Sequence, residues 1–178
     1  EDALGRQIGR RLPLGQIETM SYDAAGNMVS KTDFNGETIA YVHNVNNQLV
    51  RKDFPGGMWT GFTYTPTGQR LTEVESTGEA TAHVYDVMDR LLSRTDPDGR
   101  TISYTYDAAG NRTTVVTPVG TTTYTFDALN RMATVTDPDG GVTQYAYDAV
   151  GSRSGVAYPN GSVAQYTYDS LNRLTDLL

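Results

Sequence analysis

The chain contains no cysteine and only two histidines among its 178 residues. Without thiols it can form neither a disulfide framework nor a thiolate metal site. A basic surplus is also missing, because 14 lysines and arginines face 21 acidic residues and the formal charge is −7. This charge argues against binding to nucleic acid or to an anionic membrane surface, both of which need clustered positive charge. No apolar run approaches the ~20 residues of a membrane-spanning helix, so we expect no membrane insertion.

Leucine is scarce for this length, whereas the chain has 18 glycines, 12 tyrosines and abundant threonine. Such a composition favours strands and turns over helices.

An internal repeat dominates the sequence. The tyrosine that opens Tyr106-Asp107-Ala108-Ala109-Gly110 recurs about every 21 residues, and we call this position the anchor. The other anchors are Tyr22, His43, Tyr64, Tyr85, Phe126, Tyr147 and Tyr168. The same pattern is found at Glu1, one period before Tyr22, so we expect about nine repeats in a single array over residues 1–178, incomplete at both ends.

Each repeat carries a first turn just after its anchor. The fourth residue of this turn is always glycine, asparagine or aspartate, which are the residues that best tolerate the left-handed αL conformation. An aspartate at the first position can accept backbone N–H groups further along, as in an Asx turn. The pattern predicts a type I turn closed by a G1 bulge, a common hairpin connection.

A second turn follows in the same repeat. A glycine lies 14 residues after each anchor position from Glu1 to Tyr147, as in Asp96-Pro97-Asp98-Gly99 and Asp137-Pro138-Asp139-Gly140. Proline presets φ at the second position, and glycine again supplies αL at the fourth. Two such turns about ten residues apart leave strands of roughly six residues.

The strands between the turns alternate in character. Ile102, Tyr104 and Tyr106 face one way, and the hydroxyl-bearing residues between them face the other. A period of two with one aromatic face predicts half-buried strands, with aromatic side chains stacking across neighbouring strands. The fold class is therefore all-β: tandem antiparallel β-hairpins of about 21 residues that form a curved, spiralling sheet.

The residues singled out are structural anchors of the repeat, and we expect no catalytic, metal-binding or cofactor-binding residue. They are Tyr22, Asp23, Gly26, Gly36, Tyr64, Gly68, Tyr85, Asp86, Gly99, Tyr106, Asp107, Gly110, Phe126, Asp127, Asn130, Gly140, Tyr147, Asp148, Gly151, Gly161, Tyr168, Asp169 and Asn172.

Alternative chemistry has a simpler structural explanation in each case. His43 and His83 occupy aromatic positions of the repeat, which favours packing over catalysis or ligand binding. The turn aspartates match no calcium-binding loop, so capping explains them better. Trp59 and the tyrosines could stack on sugars, but packing within the sheet is the stronger interpretation. The turn arginines either bridge to turn carboxylates and carbonyls or remain solvated edge charges.

The motifs Tyr-Asp-Ala-Ala-Gly-Asn, Asp-Ala-Leu-Asn-Arg and Asp-Pro-Asp-Gly resemble the YD repeats of the Rhs family, over the whole chain. That family includes bacterial Rhs and wall-associated polymorphic toxins, the C component of Tc toxin complexes and the teneurins. The resemblance implies a segment of a hollow β-shell wound from hairpins, which encloses a toxin domain in some members and carries adhesion surfaces in others. The aspartyl-protease segment of the toxin members has no counterpart in these repeats, so no catalytic residue is carried over.

The resemblance implies a structural, non-enzymatic and secreted or cell-surface protein, typically bacterial. Its partners would be the remaining repeats of the parent shell and an enclosed toxin or effector. The alternative is an extracellular adhesion or self-assembling scaffold that binds glycans or proteins. We also expect self-association through edge strands, because unpaired strand edges invite strand addition.

Overall fold

Short antiparallel strands joined by tight turns make up the whole molecule. The computed structural model describes all residues from 1 to 178 and contains seventeen strands and no α-helix. The all-β class and the tandem β-hairpin repeat are therefore confirmed. No helix is long and apolar enough to cross a membrane.

The chain divides into two compact units. The first comprises residues 1–90 and 95–98, and the second comprises residues 91–94 and 99–178. The strands of the first unit are β1 (Gly9–Arg11), β2 (Ile17–Tyr22), β3 (Met28–Thr32), β4 (Thr38–His43), β5 (Leu49–Asp53), β6 (Trp59–Tyr64), β7 (Arg70–Glu75) and β8 (Ala80–Tyr85). Strand β9 (Leu91–Thr95) contributes to both units. The strands of the second unit are β10 (Thr101–Tyr106), β11 (Arg112–Thr117), β12 (Gly120–Phe126), β13 (Met132–Thr136), β14 (Val142–Tyr147), β15 (Arg153–Ala157), β16 (Val163–Tyr168) and β17 (Leu174–Leu177).

Within each unit, every strand pairs antiparallel with its neighbours in sequence. This holds from β1 to β8 and again from β10 to β17. The register shifts by one residue just before the anchor, for example between Ala146 and Tyr147. Such a bulge is the expected partner of a type I turn with a left-handed fourth residue.

The turns after the anchors have the geometry that the sequence predicts. In the turn that begins at Asp107, the Gly110 amide donates to the Asp107 carbonyl at 3.1 Å and the Asp107 amide donates to the Asn111 carbonyl at 2.9 Å. The fourth residue has positive φ in all nine turns, at Gly5, Gly26, Asn47, Gly68, Asp89, Gly110, Asn130, Gly151 and Asn172.

Two of the second turns differ from the single type that the sequence analysis assumed. At Phe54–Gly57, Gly56 follows Pro55 with φ 79° and ψ 7°, which are the angles of the third residue of a type II turn. At Thr117–Gly120, the strands pair directly across Thr117 and Gly120, so only two residues form the loop. That shorter hairpin explains why Phe126 follows Tyr106 by one residue fewer than the other anchors.

The two faces of the strands differ as expected, but the aromatic rings do not form continuous ladders. Tyr104 lies opposite Val115, and Tyr124 lies opposite Val135. Because each repeat contributes two strands and only one carries the aromatic pair, aliphatic residues separate the rings of successive repeats. Arginine fills part of this interval, since the Arg112 guanidinium carbon is 5.6 Å from the ring centroids of both Tyr104 and Tyr124.

The opposite face carries paired hydroxyl groups. The side-chain oxygens of Thr63 and Thr72 lie 2.6 Å apart, and those of Thr125 and Thr134 lie 2.7 Å apart. Few side chains are fully enclosed, and the buried apolar residues are Phe62 and Val156. The stability of the sheet therefore depends strongly on hydrogen bonds and half-buried contacts between repeats.

Candidate functional site

The repeated turn at one edge of each unit is held by its first aspartate. The Asp127 Oδ1 atom accepts the amides of Leu129 and Arg131, both at 2.9 Å. Asn44 accepts the corresponding amides of Asn46 and Gln48, so the backbone bonds need an oxygen acceptor and not a charge. The same arrangement recurs at Asp2, Asp86, Asp148 and Asp169.

The residue four positions after the aspartate, which we call the closing residue, binds the other carboxylate oxygen. Arg131 donates from Nε to Asp127 Oδ2 at 2.8 Å, and its second guanidinium nitrogen lies 2.7 Å from that oxygen. Arg6, Arg90 and Arg173 form the same ion pairs with their turn aspartates. The bridging role considered for these arginines is therefore confirmed. In other turns the closing residue is Asn27 or Asn111, which donates its amide to Asp23 or Asp107 at 2.9 Å.

These bonds lower the pKa of the turn aspartates. The pKa of Asp127 lies below its ordinary value chiefly because the Arg131 backbone amide donates to the carboxylate. Desolvation opposes this effect, and the hydrogen bond from the Arg131 side chain lowers the pKa further. The pKa values of Asp2 and Asp86 fall for the same leading reason. At Asp23, Asp107 and Asp169 the leading cause is the side-chain hydrogen bond from the closing residue.

The tyrosine anchors tie each repeat to the one before it. The Tyr147 hydroxyl donates to the Met132 carbonyl at 2.9 Å, and the Tyr64 hydroxyl donates to the Leu49 carbonyl at 2.6 Å. The same bond, always to the residue 15 positions earlier, is made by Tyr22, Tyr85, Tyr106 and Tyr168. The sequence analysis treated these residues as packing positions only and missed this hydrogen bond.

Closing arginines also cover the next anchor. The guanidinium carbon of Arg131 lies 4.4 Å from the ring centroid of Tyr147, and that of Arg6 lies 4.7 Å from the ring centroid of Tyr22. This distance is typical of a cation–π contact, which adds to the ion pair that the same arginine makes within its own turn. One arginine therefore stabilises two consecutive repeats.

Successive turns also contact each other directly. Where the closing residue is short, the fourth residue of the next turn reaches back to it: Asn27 donates to the Asn47 side chain at 2.9 Å, and Asn111 donates to the Asn130 side chain at 3.0 Å. Where the closing residue is Arg131, the next turn has Gly151, and a Cβ placed there would be 3.8 Å from the guanidinium. We call these residues and the contacts between them the inter-repeat clasp. It consists of the turn aspartate, the closing residue, the next anchor and the left-handed residue of the turn that follows that anchor.

Two anchors depart from tyrosine. Phe126 keeps the ring but has no hydroxyl to donate. His43 keeps a ring at the anchor position, and its Nδ1 atom is buried without a hydrogen-bond partner. His83 lies two residues before an anchor and stacks on Tyr85, with ring centroids 6.4 Å apart. Both histidines thus lie on the aromatic face, as the packing interpretation expects.

The second set of turns lies at the other ends of the strands. Gly36, Gly140 and Gly161 have φ between 83° and 87° and donate their amides to the first residue of the turn at 3.0 to 3.1 Å. Gly99 has φ 82°. In the turn that begins at Asp137, the carboxylate accepts the amides of Asp139 and Gly141. This turn and the one that begins at Asp33 therefore repeat the Asx geometry of the first set.

One charged cluster on the aromatic face of the first unit was not anticipated. Glu18 is only 5 % exposed and lies 2.8 Å from the Lys31 ammonium and 3.3 Å from the Arg10 guanidinium. The hydrogen bond from Lys31 to Glu18 raises the pKa of Lys31. The two cations compensate the burial of the Glu18 carboxylate. Without them, a buried charge on this face would destabilise the fold.

Trp59 lies on the hydroxyl-bearing face. The Arg51 guanidinium carbon is 4.6 Å from its ring centroid, and a Cβ at Gly61 would come within 3.1 Å of the ring. Glycine at 61 therefore lets the indole lie against the strand. The ring contacts Arg51 and the sheet, as the packing interpretation of Trp59 expects.

The side chains assembled at the clasps link neighbouring turns and strands. No group of three or more histidine, aspartate or glutamate side chains is placed to hold a metal ion. The repeated contacts are suited to mechanical continuity across strands.

Comparison with known proteins identifies this repeat. The family model described as "RHS Repeat" matches residues 2–38, 64–101, 85–122, 114–142 and 126–163. No curated protein sequence matches the chain.

Solved structures share the fold. A crystal structure of TcdB2-TccC3-Cdc42 superposes with a TM-score of 0.70 at 19 % identity and covers 89 % of this chain. The Tc holotoxin pore of Photorhabdus luminescens, carrying a mutation in TccC3, superposes with a TM-score of 0.69 at 20 % identity over 90 % of this chain. In both cases the match spans 10 % of the other chain, so this chain corresponds to a small part of those proteins.

Proposed function

Because this chain belongs to the RHS-repeat family, we propose that it is a structural, non-catalytic segment of a β-shell that encloses a secreted toxin or effector. The observation that carries the proposal is the match of 89 % of the chain, at a TM-score of 0.70, to a complex that contains TcdB2 and TccC3. The partners are then the other repeats of the shell and the enclosed domain, and the place of action is outside the producing cell.

The inter-repeat clasp supports this role. A shell wall one sheet thick has no second layer to bury its side chains, so neighbouring repeats must hold each other laterally. The phenol-to-carbonyl bonds and the arginine contacts supply such lateral links, and they run in the direction in which further repeats would be added. An enzyme would need a concentrated site, whereas this chain distributes its contacts evenly.

Limited proteolysis of the intact parent protein tests the proposal, with mass spectrometry to identify the fragments. We expect any domain outside the repeats to resist digestion while the repeats are folded, and to become sensitive once mild denaturant opens them. Digestion of that domain at the same rate in the folded and opened states would contradict enclosure. Repeats that instead continue into surface-anchoring or adhesive modules would favour the alternative, an extracellular scaffold.

Self-association is the second candidate property. Strand β17 pairs only with β16 within its unit, and all four of its residues are exposed. Such an edge can template the addition of another strand. A self-assembling scaffold would use this edge between copies of the chain, whereas a shell would use it for a further repeat.

A further inference from the structure

The aromatic face of the first unit contains a large cavity. Its volume is about 860 Å³, which lies in the range of small-molecule binding sites. The side chains that line it come from strands β3, β4, β6 and β7 and from the turns between β3 and β7. Each strand from β3 to β7 is hydrogen-bonded to a strand on both sides, so the cavity lies within the sheet and away from its terminal strands.

The middle of the cavity is apolar. The turn between β5 and β6 supplies Phe54, Pro55 and Met58, and strand β4 supplies the ring of Tyr41. An apolar wall of this kind binds the hydrocarbon part of a ligand and excludes water from it.

The two aromatic rings of the cavity have no cation of the chain against them. Elsewhere in this unit such contacts are common, and the Arg10 guanidinium carbon, for example, lies 4.9 Å from the ring centroid of Phe34. Neither Tyr41 nor Phe54 has an arginine or lysine over its ring. A ligand cation in the cavity would therefore meet two rings that no side chain of the protein covers.

Carboxylates lie on both sides of the apolar middle. Asp33 and Glu37 belong to the turn between β3 and β4, and Glu75 ends β7. No lysine or arginine lies within ion-pair distance of any of the three. Thr60, which is only 4 % exposed, donates to Oε2 of Glu75 at 3.0 Å and holds that side chain in the cavity wall.

The one cation of the lining is already compensated. The Lys31 ammonium lies 2.8 Å from the carboxylate of Glu18, which is not part of the lining. The three carboxylates therefore give the cavity a negative charge that the chain itself does not neutralise.

We propose that this cavity binds an elongated organic dication of the aliphatic polyamine class, with an ammonium group at each end and methylene groups between them. One ammonium group pairs with Glu75, and the carboxylates of Asp33 and Glu37 hold the other. The methylene chain lies against the rings of Tyr41 and Phe54.

The order of the strands explains why the ligand must be long. The acidic turn after β3, the apolar turn after β5 and the acidic end of β7 follow one another across the sheet. Neighbouring strands are about 4.8 Å apart, so the three spacings from β4 to β7 measure about 14 Å along the sheet. A compact cation can reach one acidic side only, whereas an extended dication can reach both.

Calorimetric titration of the 178-residue chain with decamethylenediamine tests the proposal. The control ligand is putrescine, which carries the same two charges on a shorter chain. We expect decamethylenediamine to bind about tenfold more tightly at equal ionic strength, because only the longer chain contacts the apolar middle and both acidic sides. The site is formed by this chain alone, so the result is independent of whether a parent shell encloses a toxin.

Two matched variants locate the binding. E75Q removes one charge of the cavity but keeps an oxygen that can accept the Thr60 hydroxyl, and we expect it to bind decamethylenediamine about fivefold more weakly. E79Q removes an exposed charge from the same turn outside the lining, and it should bind as the unsubstituted chain does. Circular dichroism checks that both variants are folded.

Three results would overturn the proposal. Equal affinity for the two diamines, or binding of neither, would mean that the cavity does not select an elongated dication. Equal weakening by E75Q and E79Q would show a general attraction between a cation and an acidic protein. Unchanged binding in E75Q would show that Glu75 holds no ammonium group.

Discussion

At the scale of single residues, the turns depend on positions that require a left-handed backbone. Asparagine and aspartate adopt φ of 59–60° at four of them, whereas glycine occupies the others at larger φ. Asparagine does more than tolerate this conformation, because its side chain also accepts a hydrogen bond from the previous turn. The choice between glycine and asparagine is thus decided by the neighbouring repeat as well as by the local backbone.

Gly36 allows the backbone cost to be measured alone. Its φ is 85°, and a Cβ there would have no atom within 4 Å, so a substitution is strained but not crowded. We expect Gly36→Val to destabilise the protein by about 1–2 kcal/mol in urea unfolding, because a β-branched residue resists αL. Gly36→Asn is the control and should lose much less. Equal losses for the two variants would mean that φ does not limit this turn.

Tyr147 allows the phenol-to-carbonyl bond to be separated from packing. Tyr147→Phe keeps the ring under Arg131 but removes the donor to the Met132 carbonyl, which should cost about 0.5–1.5 kcal/mol in urea unfolding. Tyr145 lies on the same strand and its hydroxyl makes no hydrogen bond, so Tyr145→Phe should be nearly neutral. If the two variants lose the same stability, the hydroxyl bond contributes nothing.

At the scale of strands and turns, the sequence predicts the hairpins well because turn chemistry is local. The period and the left-handed positions all follow from residues within one repeat. The links between repeats could not be predicted in the same way, because the bond from Tyr147 to Met132 depends on the register of two strands that different turns define. The expected aromatic ladder failed for a related reason, since the residues opposite Tyr104 and Tyr124 are valines of the intervening strands.

The turn aspartates make the hairpin ends sensitive to acid. Their pKa values are lower in the folded protein than the ordinary value of 3.8, so the unfolded chain binds protons first as the pH falls. Their contribution is therefore fully present above the ordinary pKa and is lost as the pH drops through it towards the lower folded values. We expect the urea midpoint to be steady near neutral pH and to fall steeply below about pH 4.

Asp127→Asn tests whether these carboxylates cause the acid loss. Asparagine can still accept the two turn amides, as Asn44 does, but it cannot titrate. The variant should be less stable at neutral pH because it lacks the ion pair with Arg131. Its urea midpoint should then fall less steeply in acid. An unchanged acid slope would place the sensitivity elsewhere.

At the scale of the whole molecule, a sheet with few enclosed side chains must gain stability from its neighbours. The same clasp recurs in both units, so each added repeat contributes similar contacts, as in other repeat proteins. A strand at the end of such a ladder offers backbone groups without a partner, and in β17 it also exposes Leu174 and Leu177 at 54 % and 58 %. Both features favour association with another strand.

We therefore expect the 178-residue chain to self-associate, with a mass in static light scattering that rises with concentration. Leu177→Pro should reduce the association, because it removes an amide that donates to Asp176 and not to β16, while the β16–β17 bonds remain. Leu177→Ala keeps that amide and separates the backbone effect from the loss of an apolar side chain. If both the alanine variant and the proline variant lose association, apolar contact drives the association. If the proline variant alone loses it, strand addition is the cause. A monomeric mass at every concentration for the unsubstituted chain would contradict the prediction and indicate that β17 is protected in some other way.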